Sequence, residues 1–258
     1  MSVLAAAILL TYGLGRFVEL PGQTLEIQLL GVYIPLRVSA RMIVSFLVAG
    51  LTAAGAHWLM SDHPHIKKKN SIEHWILPAL TAWVIGLPLY QLPLGILWWG
   101  GFVVGGVLLS LILFAEYIVI DPDDIRQPVA AAGLTALSFS LFLMLAIALR
   151  YSGARLILIL PIVTLFSWMV SLRTLHLRLG GIWAIIQSGL IGLICAQITA
   201  ALHYMPLSPV SFGLVLLAPT YALTSLVANL AEDKTLRQAV GEPVLVFALI
   251  LIAALLVG

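Results

Sequence analysis

The residues best suited to chemistry are a few acids and a histidine placed beside long apolar runs. Glu73 and His74 open one run, Glu116 closes another, and Asp121 follows shortly after it. Carboxylates and an imidazole can coordinate a divalent metal or move a proton near neutral pH. These four residues are therefore candidate bases or metal ligands. No P-loop, nucleophile elbow or His-Glu-Xaa-Xaa-His motif surrounds them.

Two arginines on the same predicted side could complete such a site. Arg173 and Arg178 close a later apolar run and could hold an anionic lipid headgroup. The plainer interpretation is that the acids cap helices and the arginines follow the positive-inside bias. The histidines show no spacing typical of a metal site, so no metal and no cofactor is expected. A catalytic role is a hypothesis, and the chain is more readily interpreted as a protein that is not an enzyme.

A third polar group lies within one apolar run. Tyr221, Ser225 and Asn229 recur at steps of four residues, which places them on one face of a helix. Hydroxyl and amide side chains in such positions usually bond across to a neighbouring helix. The alternative is a polar lining for a substrate route, with helix kinks at Pro78, Pro161 and Pro219.

The elements that position these residues are membrane spans. Hydrophobic residues form 62% of the 258-residue chain and charged residues 9%, whereas a soluble domain carries about 25% charged residues. A span needs about 20 apolar residues. The pattern predicts an all-α polytopic membrane protein, a bundle of about nine helices in one integral membrane domain. The predicted spans are 2–18, 40–60, 72–90, 94–117, 128–149, 154–173, 180–202, 210–230 and 243–257.

The distribution of basic residues predicts the orientation. With alternating sides, the side of the N-terminus holds eight of the 13 Lys and Arg residues, including the run Lys67–Lys69. The positive-inside rule makes that side cytoplasmic. On the other side, residues 19–39 show strand alternation around Gly31, which predicts a small extracytoplasmic β hairpin.

The middle third of every predicted span lacks Asp, Glu, Lys and Arg. This pattern argues against an ion-coupled pump, antiporter or proton channel, and no basic stripe indicates nucleic-acid binding. The favoured function is a non-catalytic accessory or scaffolding subunit of a bacterial inner-membrane complex, with membrane lipids and other membrane subunits as partners. The alternatives are a carrier or flippase for an apolar or lipid-like substrate, and an interfacial enzyme acting on a lipid headgroup.

Two stretches carry a family resemblance. Gly133–Phe139 with Ala148–Arg150, and Ser171–Leu177, resemble an uncharacterised multi-pass membrane protein family of Chloroflexota-type bacteria. The resemblance covers the fifth and sixth predicted spans. It implies a bacterial origin and residence in a membrane, and because that family has no assigned activity, it implies no site.

Overall fold

The computed structural model describes most of the chain. The described residues are 6–11, 13, 23–29, 32–38, 40–61, 73–121, 123–232 and 234–257. The chain divides into two compact units, Met1–Ile120 and Asp121–Gly258. The single membrane domain expected from the short connections stays a prediction.

The described residues of the first unit form four helical segments and two strands. Helix α1 is described at residues 6–11 and 13, so most of the predicted span 2–18 lies outside the described residues. The strands pair antiparallel within residues 19–39 and place Ile27 opposite Ile34. The elements are β1 (Gln23–Leu29), β2 (Val32–Val38), α2 (Ala40–Ser61), α3 (Glu73–Gln91) and α4 (Ile96–Val119).

Close helix approach determines the packing of α3 against α4. A Cβ atom added at Gly105 of α4 would lie 2.6 Å from Cγ2 of Ile85 in α3, so only glycine fits without a shift of that side chain. Nearby, the indole N–H of Trp98 donates to the carbonyl oxygen of Leu89 at 3.1 Å. Small residues allow this approach in membrane helices. Gly105, together with Gly101 one turn before it, therefore serves packing within the unit.

In the second unit, the part of the chain that the structure describes forms five helices. They are α5 (Gln127–Tyr151), α6 (Leu156–Arg178), α7 (Ile185–Leu202), α8 (Pro209–Ala231) and α9 (Leu236–Val257). Helix α8 contacts each of the other four, so it lies at the centre of the unit. Close approach recurs here, because a Cβ at Gly192 of α7 would lie 3.1 Å from the carbonyl oxygen of Thr164 in α6.

Within the described chain, seven helices are long and apolar enough to cross a membrane: α2, α4, α5, α6, α7, α8 and α9. The apolar part of α3, His74–Leu89, is shorter. These helices fit a multi-pass membrane protein. The prediction of about nine spans is thus supported for seven of them.

Two predicted boundaries need correction. Helix α6 continues past residue 173 to Arg178, and α7 begins at Ile185 instead of residue 180. The reason is a glycine turn: Gly180 and Gly181 have φ values of 61° and 94°, and the N–H of Gly181 donates to the carbonyl oxygen of His176 at 3.0 Å. This left-handed geometry ends the helix and favours glycine.

The last helix also begins earlier than predicted. Helix α9 starts at Leu236 instead of residue 243, and it contains Pro243. The carbonyl oxygen of Thr235 accepts the N–H of Ala239 at 2.8 Å, which begins the helix. Membrane helices tolerate proline, so Pro243 does not mark the start of α9. The apolar run predicted to start at 243 is only the later part of the helix.

Candidate functional site

The first unit brings two predicted site residues into contact. Antiparallel packing places the start of α3 beside the end of α4, and His74 Nδ1 lies 2.8 Å from Glu116 Oε2. Both groups are buried, with 8% of His74 and none of Glu116 exposed. A buried carboxylate requires a partner to offset its desolvation. The imidazole supplies one at hydrogen-bonding distance.

The other two candidate bases have different surroundings. Glu73 is the first residue of α3, and its side chain lies outside the described residues. Asp121 begins the second unit, and its Oδ1 accepts the backbone N–H of Asp123 at 3.1 Å. Asp124 repeats this turn, because its Oδ1 accepts the N–H of Arg126 at 2.8 Å. Such bonds are typical of Asp in a turn that leads into a helix.

The second unit contains a polar network, defined here as Arg178, Ser225, Asn229, Glu232 and Lys234. Arg178, near the end of α6, donates to three acceptors on or just after α8. The distances are 2.9 Å to Asn229 Oδ1, 3.1 Å to Glu232 Oε1 and 3.3 Å to Ser225 Oγ. The structure therefore joins three of the predicted binding residues, namely Arg178, Ser225 and Asn229.

Asn229 connects this network to a third helix. Its Oδ1 accepts from Arg178 and, at 3.0 Å, from Lys234 Nζ. Its Nδ2 donates to the carbonyl oxygen of Ala239 in α9 at 3.1 Å. Asn229 is 1% exposed, so each of these bonds replaces water that the buried amide has lost. One side chain thus joins α6, α8 and α9.

Glu232 carries the negative charge of the network. Its Oε2 lies 2.7 Å from Lys234 Nζ, and its Oε1 lies 3.1 Å from Arg178 Nη2. The hydrogen bond from Lys234, followed by the charge of Arg178 and its hydrogen bond, lowers the pKa of Glu232 from its usual value. Glu232 and Lys234 were not predicted as site residues, because they lie after the end of a predicted span.

Tyr221 has a separate partner. Its hydroxyl donates to Glu242 Oε1 of α9 at 3.0 Å, and its ring meets Phe139 of α5 edge-on at 5.1 Å between centroids. Glu242 was not predicted as its partner, because the predicted span began one residue later. Tyr221, Ser225 and Asn229 thus each form a hydrogen bond with a residue of another helix.

A buried polar seam continues from the network between α6 and α8. Arg173 is 1% exposed, and the residue is not without a partner. Beside it in sequence, the hydroxyl of Ser171 accepts from Thr224 of α8 at 3.0 Å. Thr220, one turn earlier, donates to the sulfur of Cys195 in α7 at 3.5 Å. These contacts hold helices together in a medium that offers no water.

Within the described residues, no group of three His, Cys, Asp or Glu side chains is placed to hold a metal ion. His74 and Glu116 form a pair in the first unit, and Arg173 and Arg178 belong to the second.

Comparison with known proteins gives one match. The sequence model of a family described as "Protein of unknown function (DUF5656)" matches residues 20–257. No curated protein and no solved structure matches the chain. This match confirms the prediction that the chain belongs to an uncharacterised family.

Proposed function

Because the chain belongs to DUF5656, a family of proteins of unknown function, we propose its role from its own contacts: a non-catalytic accessory or scaffolding subunit of a membrane protein complex. The proposal includes a Chloroflexota-type bacterial origin, the inner membrane and a cytoplasmic N-terminus. One observation carries it. Arg178 of α6, which could bind a substrate, donates instead to Asn229 of α8 and to Glu232 just after α8. Side chains that hold a bundle together in this way support a structural role.

We place the contact with a partner subunit on α9. Only 11% of its span is buried, compared with 28–50% for the other six long apolar helices. Its exposed side chains include Leu245, Leu249, Ile252 and Leu256, which recur at steps of three and four residues and so share one face. This face meets either lipid or another apolar helix. A subunit whose role is assembly needs such a face.

Purification from the native host tests the proposal. Tagged protein is extracted in mild detergent and analysed by native electrophoresis and quantitative mass spectrometry. We expect a species larger than the monomer that contains another membrane polypeptide at fixed stoichiometry. Leu249→Ala should reduce the yield of that polypeptide, while Leu111→Ala, an equally exposed position on α4, should not. A stable monomer without a co-purifying polypeptide contradicts the proposal.

A second candidate function rests on the contact between His74 and Glu116. The pair combines an acid and a base at a helix end, which favours the interfacial enzyme acting on a lipid headgroup. Elemental analysis of purified protein tests the metal-dependent version of this hypothesis. A stoichiometric metal that is lost in Glu116→Gln supports it, and a metal-free protein rules that version out. The carrier hypothesis is less favoured, because Ser225 and Asn229 are buried and bonded to Arg178.

A further inference from the structure

A second feature of the second unit lies at the opposite end of α6 from the polar network. Helix α6 has 23 residues, so its two ends are about 35 Å apart. Where α6 begins and α7 ends, an open cavity of about 620 Å³ is lined by Arg155, Leu156, Ile157, Leu160, His203 and Tyr204. We call it the Arg155 cavity. It combines one cation, two polar rings and an apolar wall.

The two arginines near this cavity have different roles. Arg150 donates to the carbonyl oxygens of His203 and Met205 at 2.7 and 2.6 Å, and its guanidinium lies 5.3 Å from the centre of the Phe212 ring. Arg150 therefore holds the chain between α7 and α8 in place. Arg155 has no hydrogen-bond or ion-pair partner for its guanidinium in the described part of the chain. The positive charge of Arg155 can therefore pair with an anion in the cavity that it lines.

His203 adds a second polar group. Its Nδ1 atom is buried and has no hydrogen-bond partner in the described protein. A buried ring nitrogen in this condition is uncommon, and the ring that carries it lines the cavity. The ring packs edge-on against Tyr204 at 5.0 Å, and Tyr204 itself is 81% exposed. Tyrosine at the end of a span is typical of the level of the lipid headgroups.

The apolar wall continues from the charge into the span. Leu156, Ile157 and Leu160 form the first turns of α6, which is one of the seven long apolar helices. Arg155 directly precedes them, so the charge lies where the span meets the headgroup layer. None of the described residues that line the cavity is acidic. A ligand that matches both the charge of Arg155 and the apolar wall has an anionic head and an apolar tail.

We infer that the Arg155 cavity binds an anionic phospholipid. The phosphate is held by the guanidinium of Arg155, with the His203 ring beside it, and one acyl chain lies along Leu156, Ile157 and Leu160. An acidic peptide would satisfy the charge but would leave the wall within the span unmatched. Free phosphate shares the chemistry of the head and lacks the tail.

Native mass spectrometry of the full chain in detergent tests this inference. Phosphatidylglycerol and phosphatidylcholine are titrated in parallel. We expect preferential binding of phosphatidylglycerol, and about tenfold weaker binding in Arg155→Ala, because a charge-assisted hydrogen bond is lost. Arg126→Ala is the control and should leave binding unchanged. It removes an exposed arginine before the start of α5, whereas the cavity lies near Arg150 at the end of that helix. The larger side chain of Leu160→Trp occupies the space along the apolar wall and should also weaken binding.

Three results would overturn the inference. The first is equal binding of the two lipids, and the second is equal binding by the wild type and Arg155→Ala at unchanged melting temperature. The third concerns the source of the phosphate. If inorganic phosphate or a polyglutamate peptide displaces phosphatidylglycerol and Leu160→Trp has no effect, the site recognises a soluble anion.

Discussion

His74 Nδ1 and Glu116 Oε2 lie 2.8 Å apart, although 42 residues separate them in the sequence. The contact joins the first turn of α3 to the last turn of α4. Only His74 is slightly exposed, and Glu116 is fully buried. The hydrogen bond therefore connects two helix ends in a region of low dielectric, where it is stronger than in water.

The first prediction concerns this pair. Glu116→Ala should lower the free energy of unfolding by about 3 kcal/mol, because it removes one partner of a buried pair. Glu116→Gln retains an oxygen acceptor for Nδ1 and should lose about 1 kcal/mol. Thermal unfolding in detergent measures both values. Equal losses in the two variants would show that the hydrogen bond to His74 is not the source of the stability.

The second prediction concerns Asn229. Asn229→Ala removes the acceptor shared by Arg178 and Lys234 and the donor to Ala239. We expect a loss of about 2 kcal/mol, because these partners lose bonds at a mostly buried site. Ser140→Ala is the matched control, since this exposed hydroxyl bonds to Ala136 of its own helix. If both variants unfold at the wild-type temperature, the network does not stabilise the unit.

The third prediction compares two glycines of α7. A Cβ at Gly192 would lie 3.1 Å from the backbone oxygen of Thr164 and 3.2 Å from Cβ of Trp168, whereas at Gly189 the nearest atom is 4.0 Å away. Gly192→Ala should destabilise the protein by about 1–3 kcal/mol, because the two helices must separate. Gly189→Ala should change stability by less than about 0.5 kcal/mol. Unfolding in detergent gives both values, and an inverted order would contradict the packing of α6 against α7.

The fourth prediction concerns pH. The pKa of Glu232 is lowered in the folded protein, first by the hydrogen bond from Lys234. A carboxyl group whose pKa is lowered by folding stabilises the folded protein at pH values above its unfolded-state pKa. That stabilisation is lost as the pH falls through the folded-state pKa. Melting temperatures between pH 7 and pH 3 should therefore fall less steeply in Glu232→Gln than in the wild type. Lys234→Met should raise the pKa of Glu232, as followed by side-chain carbon NMR. An unchanged pKa in that variant would contradict the assigned cause.

The fifth prediction concerns orientation. In a Cys195→Ala background, Ile27→Cys should react with an impermeant thiol reagent from outside the cell, and Lys67→Cys should react only after lysis. The expectation follows from the greater number of basic residues on the side that contains Lys67. Equal labelling of both positions from outside would overturn the proposed topology.

The class of protein could be predicted from the sequence, because length and apolar content alone identify a span. The helix ends were harder to predict. Pro243 marked the start of the predicted last span, yet it lies inside α9 and is buried there. A proline breaks a helix in water through a lost hydrogen bond and a clash, whereas packed membrane helices compensate for the loss locally. That error concealed Glu242, and with it the partner of Tyr221.

The candidate residues were predictable as a group, but their pairing was not. His74 and Glu116 lie at the ends of consecutive spans, so the sequence places them on one side. Whether they touch depends on the rotation of α3 about its axis, and this rotation is determined by contacts such as that of Ile85 with Gly105. Likewise, periodicity placed Ser225 and Asn229 on one face, but it could not show that Arg178 would approach that face.

The local character of the packing bears on how the chain is made. The three most extensive helix contacts join neighbours in the sequence, namely α2 with α3, α6 with α7, and α8 with α9, whereas α5 packs mainly against α8. A ribosome delivers these helices to the translocon in the same order, and domains generally fold as units during synthesis. Each helix hairpin can therefore close as soon as its second member leaves the translocon. A nascent chain that has passed Ile120 already holds every residue of the first unit, so biogenesis can proceed in two stages.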